Sequence, residues 1–390
     1  MTSGHKYILI ASTCVIDWGG SEELWARSIP FLLEKGFKVV VYKAIINRNH
    51  PQFAKLAARG VIMEDRSSSF SLVKKTYDRF RRGWNKLTAR SNRFFIDHKE
   101  EAFVETLSKY RPALAIISQG INFDGLHHAS QCLSAGIPYA IISQKAVDFF
   151  WPGADQRKWM IPALLGSQRN FFVSAHNQRL TEEQFGTRLA NSKIIYNPVK
   201  VRQRLPFPTT ADGYRLACVA RIWLIDKGQD ILVRILSDPK WRQRAVTVSF
   251  IGEGEDLQAL QDMVRLLTVT NVRFCGQQED MERVWMEHHA LILPSRSEGL
   301  PLSLVEAMAA GRPAIVSNAG GNPELVRESV TGFIGDAAAD SFSAAMERAW
   351  LRRSEWEAMG REAAACIETT VPVLPESDFA NEILSLIHDR

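Results

Sequence analysis

Short apolar runs alternate with segments of helical length along almost the whole chain, and the alternation stops once, near the middle, before starting again. In the first half the runs are Tyr7–Cys14, Lys38–Lys43, Val61–Glu64, Ala113–Ser118, Tyr139–Ser143, Phe171–Ser174 and Lys193–Tyr196. In the second they are Tyr214–Ala220, Val246–Ile251, Val272–Cys275, Ala290–Leu293, Ala314–Ser317 and Gly332–Ile334. Runs of this kind, each followed by a helix, are the pattern of parallel strands buried on both faces and joined by helical crossovers. The interruption, at Asn197-Pro-Val and Leu205-Pro-Phe-Pro-Thr-Thr, reads as a linker. The fold class is therefore α/β, with two Rossmann-like doubly wound parallel sheets side by side. The limits are 1–200 for the first domain and 201–374 for the second, with a C-terminal helix, 375–390, left over. Ligands of such sheets bind outside the carboxyl ends of the strands, which directs attention to the loops there.

Length and composition agree. At 390 residues and 46% hydrophobic content the chain is too long for one compact core. Its five cysteines, Cys14, Cys132, Cys218, Cys275 and Cys366, are scattered and show no CxxC spacing, so a reducing cytoplasm fits better than a disulfide framework or a zinc site. The Tyr7–Cys14 run is too short for a membrane span and reads as a first strand, not a signal peptide. Charge is uneven. Between Lys74 and Arg93 eight cations face only Asp78, a local net charge of +7 in a chain whose total is +5. Within 73–93, Val73, Tyr77, Phe80, Trp84 and Leu87 step at helical spacing, which predicts a basic amphipathic helix interrupted by Gly83. Such a helix suits an anionic membrane surface, or packs its aromatic stripe on its own domain. Nucleic acid is not expected, because no second basic surface accompanies it.

The richest stretch for chemistry follows the Ala290–Leu293 run. Ser-Arg-Ser-Glu298-Gly299-Leu-Pro301-Leu302-Ser303 leads into Leu-Val-Glu306-Ala-Met-Ala-Ala-Gly311-Arg-Pro. Pro301 opens a helix where its missing N–H costs nothing, so Glu298 belongs to the loop and Glu306 to the helix. The free N–H groups at that start, from Leu302 and Ser303, suit a phosphate. By themselves two glutamates eight apart are equally a turn residue and a solvated helix residue. After the Tyr214–Ala220 run come Arg221 and Lys227-Gly228, two cations at a strand end. Asp17-Trp-Gly19-Gly20-Ser21-Glu22 links the first strand to a helix expected to begin near Ser21, with Ser21 as its cap. Two glycines there allow a ligand close to the backbone, or simply a tight turn. Gly252-Glu-Gly254 is two-thirds of a dinucleotide fingerprint and lacks the rest, so no redox cofactor is expected.

Glu298, Gly299, Leu300, Glu306, Ala307, Met308, Ala309, Gly311 and Pro313 together resemble the Glu-x7-Glu element of the family-four retaining glycosyltransferases of GT-B fold. The similarity runs on through Gly320-Gly-Asn-Pro-Glu324 and Thr331-Gly-Phe333. It implies transfer of a hexose-type sugar from a nucleoside diphosphate sugar to a hydroxyl acceptor, with retention and without a metal or other cofactor; no Asp-x-Asp element is present. It assigns Arg221 and Lys227 to the donor diphosphate, Glu298 to the donor sugar and Glu306 to the ribose. Gly299, Leu302, Ser303, Gly252 and Gly254 fall to donor binding, and Gly19 and Gly20 to a loop facing the donor phosphate and the acceptor. The C-terminal helix would cross back onto the first domain. One departure stands out: Gln144 occupies the loop where many relatives carry a donor-contacting histidine, and an amide donates hydrogen bonds without acting as acid or base. The pairs His127-His128 and His288-His289 are read as surface or satisfied core residues. The basic 73–93 segment suits a lipid-linked or saccharide acceptor at an inner membrane face, as in cell-surface polysaccharide assembly. Two other readings use the same fold: a nucleotide-sugar epimerase, which would act on donor alone, and a non-catalytic sugar- or membrane-binding assembly factor.

Overall fold

The computed structural model describes residues 6–14, 17–65 and 93–388, with backbone only for 93–101. Most of the basic amphipathic segment expected at 73–93 lies outside these residues. Two parallel sheets organise the chain. The first contains β1 (Tyr7–Ser12), β2 (Lys38–Lys43), β3 (Ile62–Asp65), β4 (Leu114–Gln119), β5 (Tyr139–Ser143), β6 (Arg169–Phe172) and β7 (Ser192–Ile194), in the order β3-β2-β1-β4-β5-β6-β7. The second contains β8 (Tyr214–Val219), β9 (Val246–Ile251), β10 (Val272–Phe274), β11 (Ala290–Leu293), β12 (Ala314–Ser317) and β13 (Gly332–Gly335), in the order β10-β9-β8-β11-β12-β13. Every anticipated strand is present, most within two residues of its expected ends.

Both sheets turn direction in the same way: the chain winds outward from β1 or β8, returns, and continues on the other side through β4 or β11. The carboxyl ends of β8 and β11 are therefore neighbours although 71 residues separate Lys227 from Glu298, which follow them. A crevice at such a switch point is where doubly wound sheets take ligands.

Burial explains the continuous apolar runs. In the first sheet Ile8, Ile10, Val39, Val41, Leu114 and Ile116 face one layer of helices, and the alternating Leu9, Ala11, Val40, Ala115 and Ile117 face the other. The Pro375–His388 helix packs against the Gly20–Glu34 helix and places Phe379, Ala380 and Ile383 in the first of these layers. The second sheet shares one core with its helices. Between the sheets, Ile195 still belongs to the first core, and Val199 and Val201 already belong to the second. Arg312 holds this connection down. Its guanidinium is fully buried and donates to the carbonyls of Leu205, Pro206, Trp285, His288, Ala310 and Gly311.

Candidate active site

The second domain supplies the charged centre of the crevice. After β8 a short helix, Leu224–Lys227, meets the Gln229–Leu236 helix at Gly228, whose φ of 64° and close approach to the Pro294 carbonyl admit only glycine; an added Cβ would stand 2.3 Å from that oxygen. The Arg296 and Ser297 N–H groups donate to the Asp226 carbonyl at 2.8 and 3.3 Å, and the Arg296 guanidinium grips both oxygens of Asp230 at 2.8 Å. These contacts fasten the loop after β11 to the helices after β8. As a result Lys227 Nζ donates to both carboxylate oxygens of Glu298 at 2.8 Å. Burial works against the Lys227 ammonium, but Glu298 and Asp226 outweigh it and hold its pKa above the ordinary lysine value. Arg221 lies exposed at the same strand end, with its guanidinium 4.2 Å from the Trp223 ring centroid.

Pro301 precedes the Leu302–Ala309 helix as its cap residue, and its carbonyl accepts the Leu304 and Val305 N–H groups at 3.1 and 3.3 Å. Glu298 sits in the loop and Glu306 inside the helix. Glu306 is only 5% exposed, and one oxygen accepts the Lys200 N–H at 2.8 Å. Burial pushes its carboxyl above the usual glutamate value, with the Lys200 bond pulling the other way.

The first domain meets this centre directly. Gly299 abuts the Gln144 carbonyl, and Gly20 faces Leu302: a Cβ on Gly20 would lie 2.9 Å from Leu302 Cδ1. The Gln144 amide is committed to neighbours, accepting from Asn197 Nδ2 at 2.8 Å and donating to the Ser21 carbonyl at 3.3 Å. Next to it, Lys145 crosses to Asp226 of the second domain. Farther along, Glu324 accepts the first-turn N–H groups of Ala175 and His176, at 3.1 and 2.7 Å, where the Ala175–Phe185 helix begins.

One expectation needs revision. The first helix is capped at Gly19, not Ser21, because the Glu22 carboxylate reaches back to the Gly19 N–H at 3.1 Å. Glu22 is fully buried; it also accepts from Ser12 Oγ, Ser21 Oγ and Lys43 Nζ, so it shapes the glycine loop from beneath. Gly252 and Gly254 have a packing reason of their own. Added Cβ atoms would lie 2.2 Å from the Ala220 carbonyl and 2.1 Å from the Ile222 carbonyl, so the loop after β9 lies flat on the loop that carries Arg221. The histidines of the second pair are satisfied core residues: His288 bonds the Val284 carbonyl and Ser249, and His289 the Arg215 N–H and the Thr209 carbonyl.

Sequence reasoning overlooked Lys145, Asp226 and Arg312. The first two immediately adjoin Gln144 and Lys227, and a charged neighbour at a strand's carboxyl end was the available signal. Among the described residues no three His, Cys, Asp or Glu side chains gather as a metal site, and no helix is long and apolar enough to cross a membrane.

Two Rossmann-like lobes flanking a cleft, with the charged residues between their strand ends, define a GT-B fold. Residues 213–351 match the family model described as Glycosyl transferases group 1, which confirms the resemblance read between Glu298 and Pro313. A GDP-mannose-dependent alpha-(1-6)-phosphatidylinositol monomannoside mannosyltransferase of Mycobacterium tuberculosis is 32% identical over 158 residues, 37% of this chain and 40% of that one. Glycogen synthase of the same organism is 32% identical over 163 residues, 40% of this chain and 38% of that one. The chain thus spans about two fifths of the length of these curated relatives. Among solved structures, the lipopolysaccharide outer core galactosyltransferase WaaB superposes with a TM-score of 0.68 at 20% identity, covering 97% of this chain and 99% of the other. Anabaena HepE in complex with UDP gives 0.71 at 16% identity, with coverage of 97% and 99%.

Proposed function

We propose that the protein is a retaining glycosyltransferase that moves a hexose-type sugar from a nucleoside diphosphate sugar to a hydroxyl acceptor in cell-surface polysaccharide or glycolipid assembly. The observation that carries this reading is Lys227 held on Glu298 between the ends of β8 and β11, with Arg221 at the same strand end. Residues 201–374 bind the donor and 1–200 the acceptor. Arg221 and Lys227 neutralise the diphosphate, whose charge grows as the glycosidic bond breaks, and the Leu302 and Ser303 N–H groups add to this. Glu298 holds the sugar hydroxyls and Glu306 the ribose. Gly19 and Gly20 allow the first domain to approach the donor closely, with Gln144 beside them. The acceptor attacks from the face the diphosphate leaves, and a diphosphate oxygen takes its proton. Closure of the two domains keeps out water that would hydrolyse the donor. The relatives' activities toward a phosphatidylinositol mannoside and the lipopolysaccharide outer core support a lipid-linked or saccharide acceptor, met by a cytoplasmic protein at the inner membrane face.

The test is sugar transfer by Glu298→Gln and Lys227→Ala, with melting curves alongside. Both should lose at least about a hundredfold in kcat, the scale of removing a preorganised charge partner. Wild-type rates in folded variants would refute the assignment. Incubation with donor alone separates transfer from epimerisation.

A further inference from the structure

Beyond Arg221 and Lys227, a third cation reaches the same centre from the other domain. Lys145 is fixed in the loop after β5, where its carbonyl accepts the Asn122 N–H at 2.6 Å. From that anchor its side chain pairs with Asp226 across the cleft, and the two side chains are only 12% and 11% exposed. Asp226 also lies 3.6 Å from Lys227 Nζ, so one carboxylate is shared by two ammonium groups.

Charge indicates what this cluster is suited to bind. Within the partly buried cluster Lys227 and Lys145 are balanced by Asp226 and Glu298, and the exposed Arg221 at the same strand end brings the site's net charge to positive. Each buried ammonium shares its carboxylate closely, so an incoming anion can take over one of these pairings while Arg221 adds a charge that nothing buried offsets. Burial and the like charge of Lys227 both press the Lys145 pKa below the ordinary lysine value, against the pull of Asp226. A nucleoside diphosphate supplies the missing negative charge.

We propose that Lys145 is a diphosphate-binding residue of the donor site, contributed by the first domain, which exchanges Asp226 for phosphate oxygens as the nucleotide enters. This rests on the donor-site reading above. It gives the first domain a charge-assisted hold on a ligand otherwise bound by the second. The rival role is a pair that only pins the domains together.

The two roles differ at Asp226→Asn. For a binding residue, Lys145→Ala weakens UDP and GDP binding about tenfold or more by calorimetry, equivalent to about 1.4 kcal/mol, and leaves uridine and guanosine unaffected. Lys145→Arg restores most of the loss. Asp226→Asn, which releases the ammonium to phosphate, binds the diphosphates as tightly as wild type or more so. Parallel weakening by Lys145→Ala and Asp226→Asn, extending to the nucleosides, overturns the proposal in favour of pinning. Unchanged affinity in Lys145→Ala, with Lys227→Ala weakened, overturns it and spares the donor site. If wild type binds neither diphosphate, or Lys227→Ala changes nothing, both readings fall. Lys145→Gln provides the same comparison should the alanine variant melt below the assay temperature.

Discussion

Gly299 and Gln144, from different domains, are in backbone contact: a Cβ on Gly299 would stand 1.9 Å from the Gln144 carbonyl oxygen. No side-chain rotation relieves such an overlap, because the backbone fixes the Cβ position and its partner is a main-chain oxygen. Gly299→Ala should therefore hold the domains apart while leaving each core intact. Displacement on this scale costs about a hundredfold in kcat/KM, with little change in Tm. Steady-state kinetics and calorimetric melting together check it, and an unchanged kcat/KM would mean the two backbones separate without cost.

Glu306 has two candidate partners, a ribose and the Lys200 N–H. Glu306→Gln keeps an oxygen for Lys200, so the connection between the domains should survive. If the carboxylate also holds ribose hydroxyls, wild type should prefer ribonucleoside over 2′,3′-dideoxyribonucleoside diphosphates by about tenfold, the scale of a charged hydrogen bond. The variant should lose most of that preference. Equal discrimination in both proteins would confine Glu306 to the Lys200 contact.

His289 makes stability depend on acid. Burial lowers its pKa from 6.5 to about 4, and His288 shifts in the same direction for the same main reason. A neutral imidazole is favoured in the fold, so the unfolded chain binds the proton more tightly in this range. Stability is then complete above about pH 6.5 and declines as pH falls through about 4. Tm measured from pH 7.5 to pH 4 should drop across that window. His289→Gln, which can still accept from Arg215 and donate to Thr209, should show a flatter profile there.

Arg312→Met should be among the most damaging single changes outside the cleft. It removes a donor from six carbonyls, among them those of Leu205 and Pro206 in the connection between the domains, while that of Ala310 keeps the Leu205 N–H as a second partner. Each buried acceptor left unsatisfied costs about 1–3 kcal/mol, so losing these bonds together costs several kcal/mol. At about 2–4 °C per kcal/mol for a domain of this size, Tm should fall by roughly 10 °C. A shift within 2 °C, on the order of 1 kcal/mol or less, would show that water satisfies these carbonyls.

What could be read from the chain depended on how locally each feature is determined. Strands such as Val39–Val41, buried on both faces, announce themselves as unbroken apolar runs. The cap of the first helix was misplaced by two residues because Ser21 is a good cap in isolation, whereas a buried Glu22 carboxylate decides the matter. Gly252 and Gly254 were visible as glycines, but the carbonyls they avoid belong to the loop after β8, which only the sheet order brings near. Lys145 and Asp226 are 81 residues apart in different domains, and no pattern along the chain links them.

The contact from Glu324 to the Ala175 and His176 N–H groups bears on how unevenly the two lobes are joined. A carboxylate and the open turn of a helix are both well hydrated when apart, so water replaces most of what separation removes. A junction of this type adds little to the barrier against opening. What resists parting is concentrated instead at the Gly299–Gln144 backbone contact and the largely buried Lys145–Asp226 pair, so the lobes meet most firmly at the charged centre and most loosely at this edge.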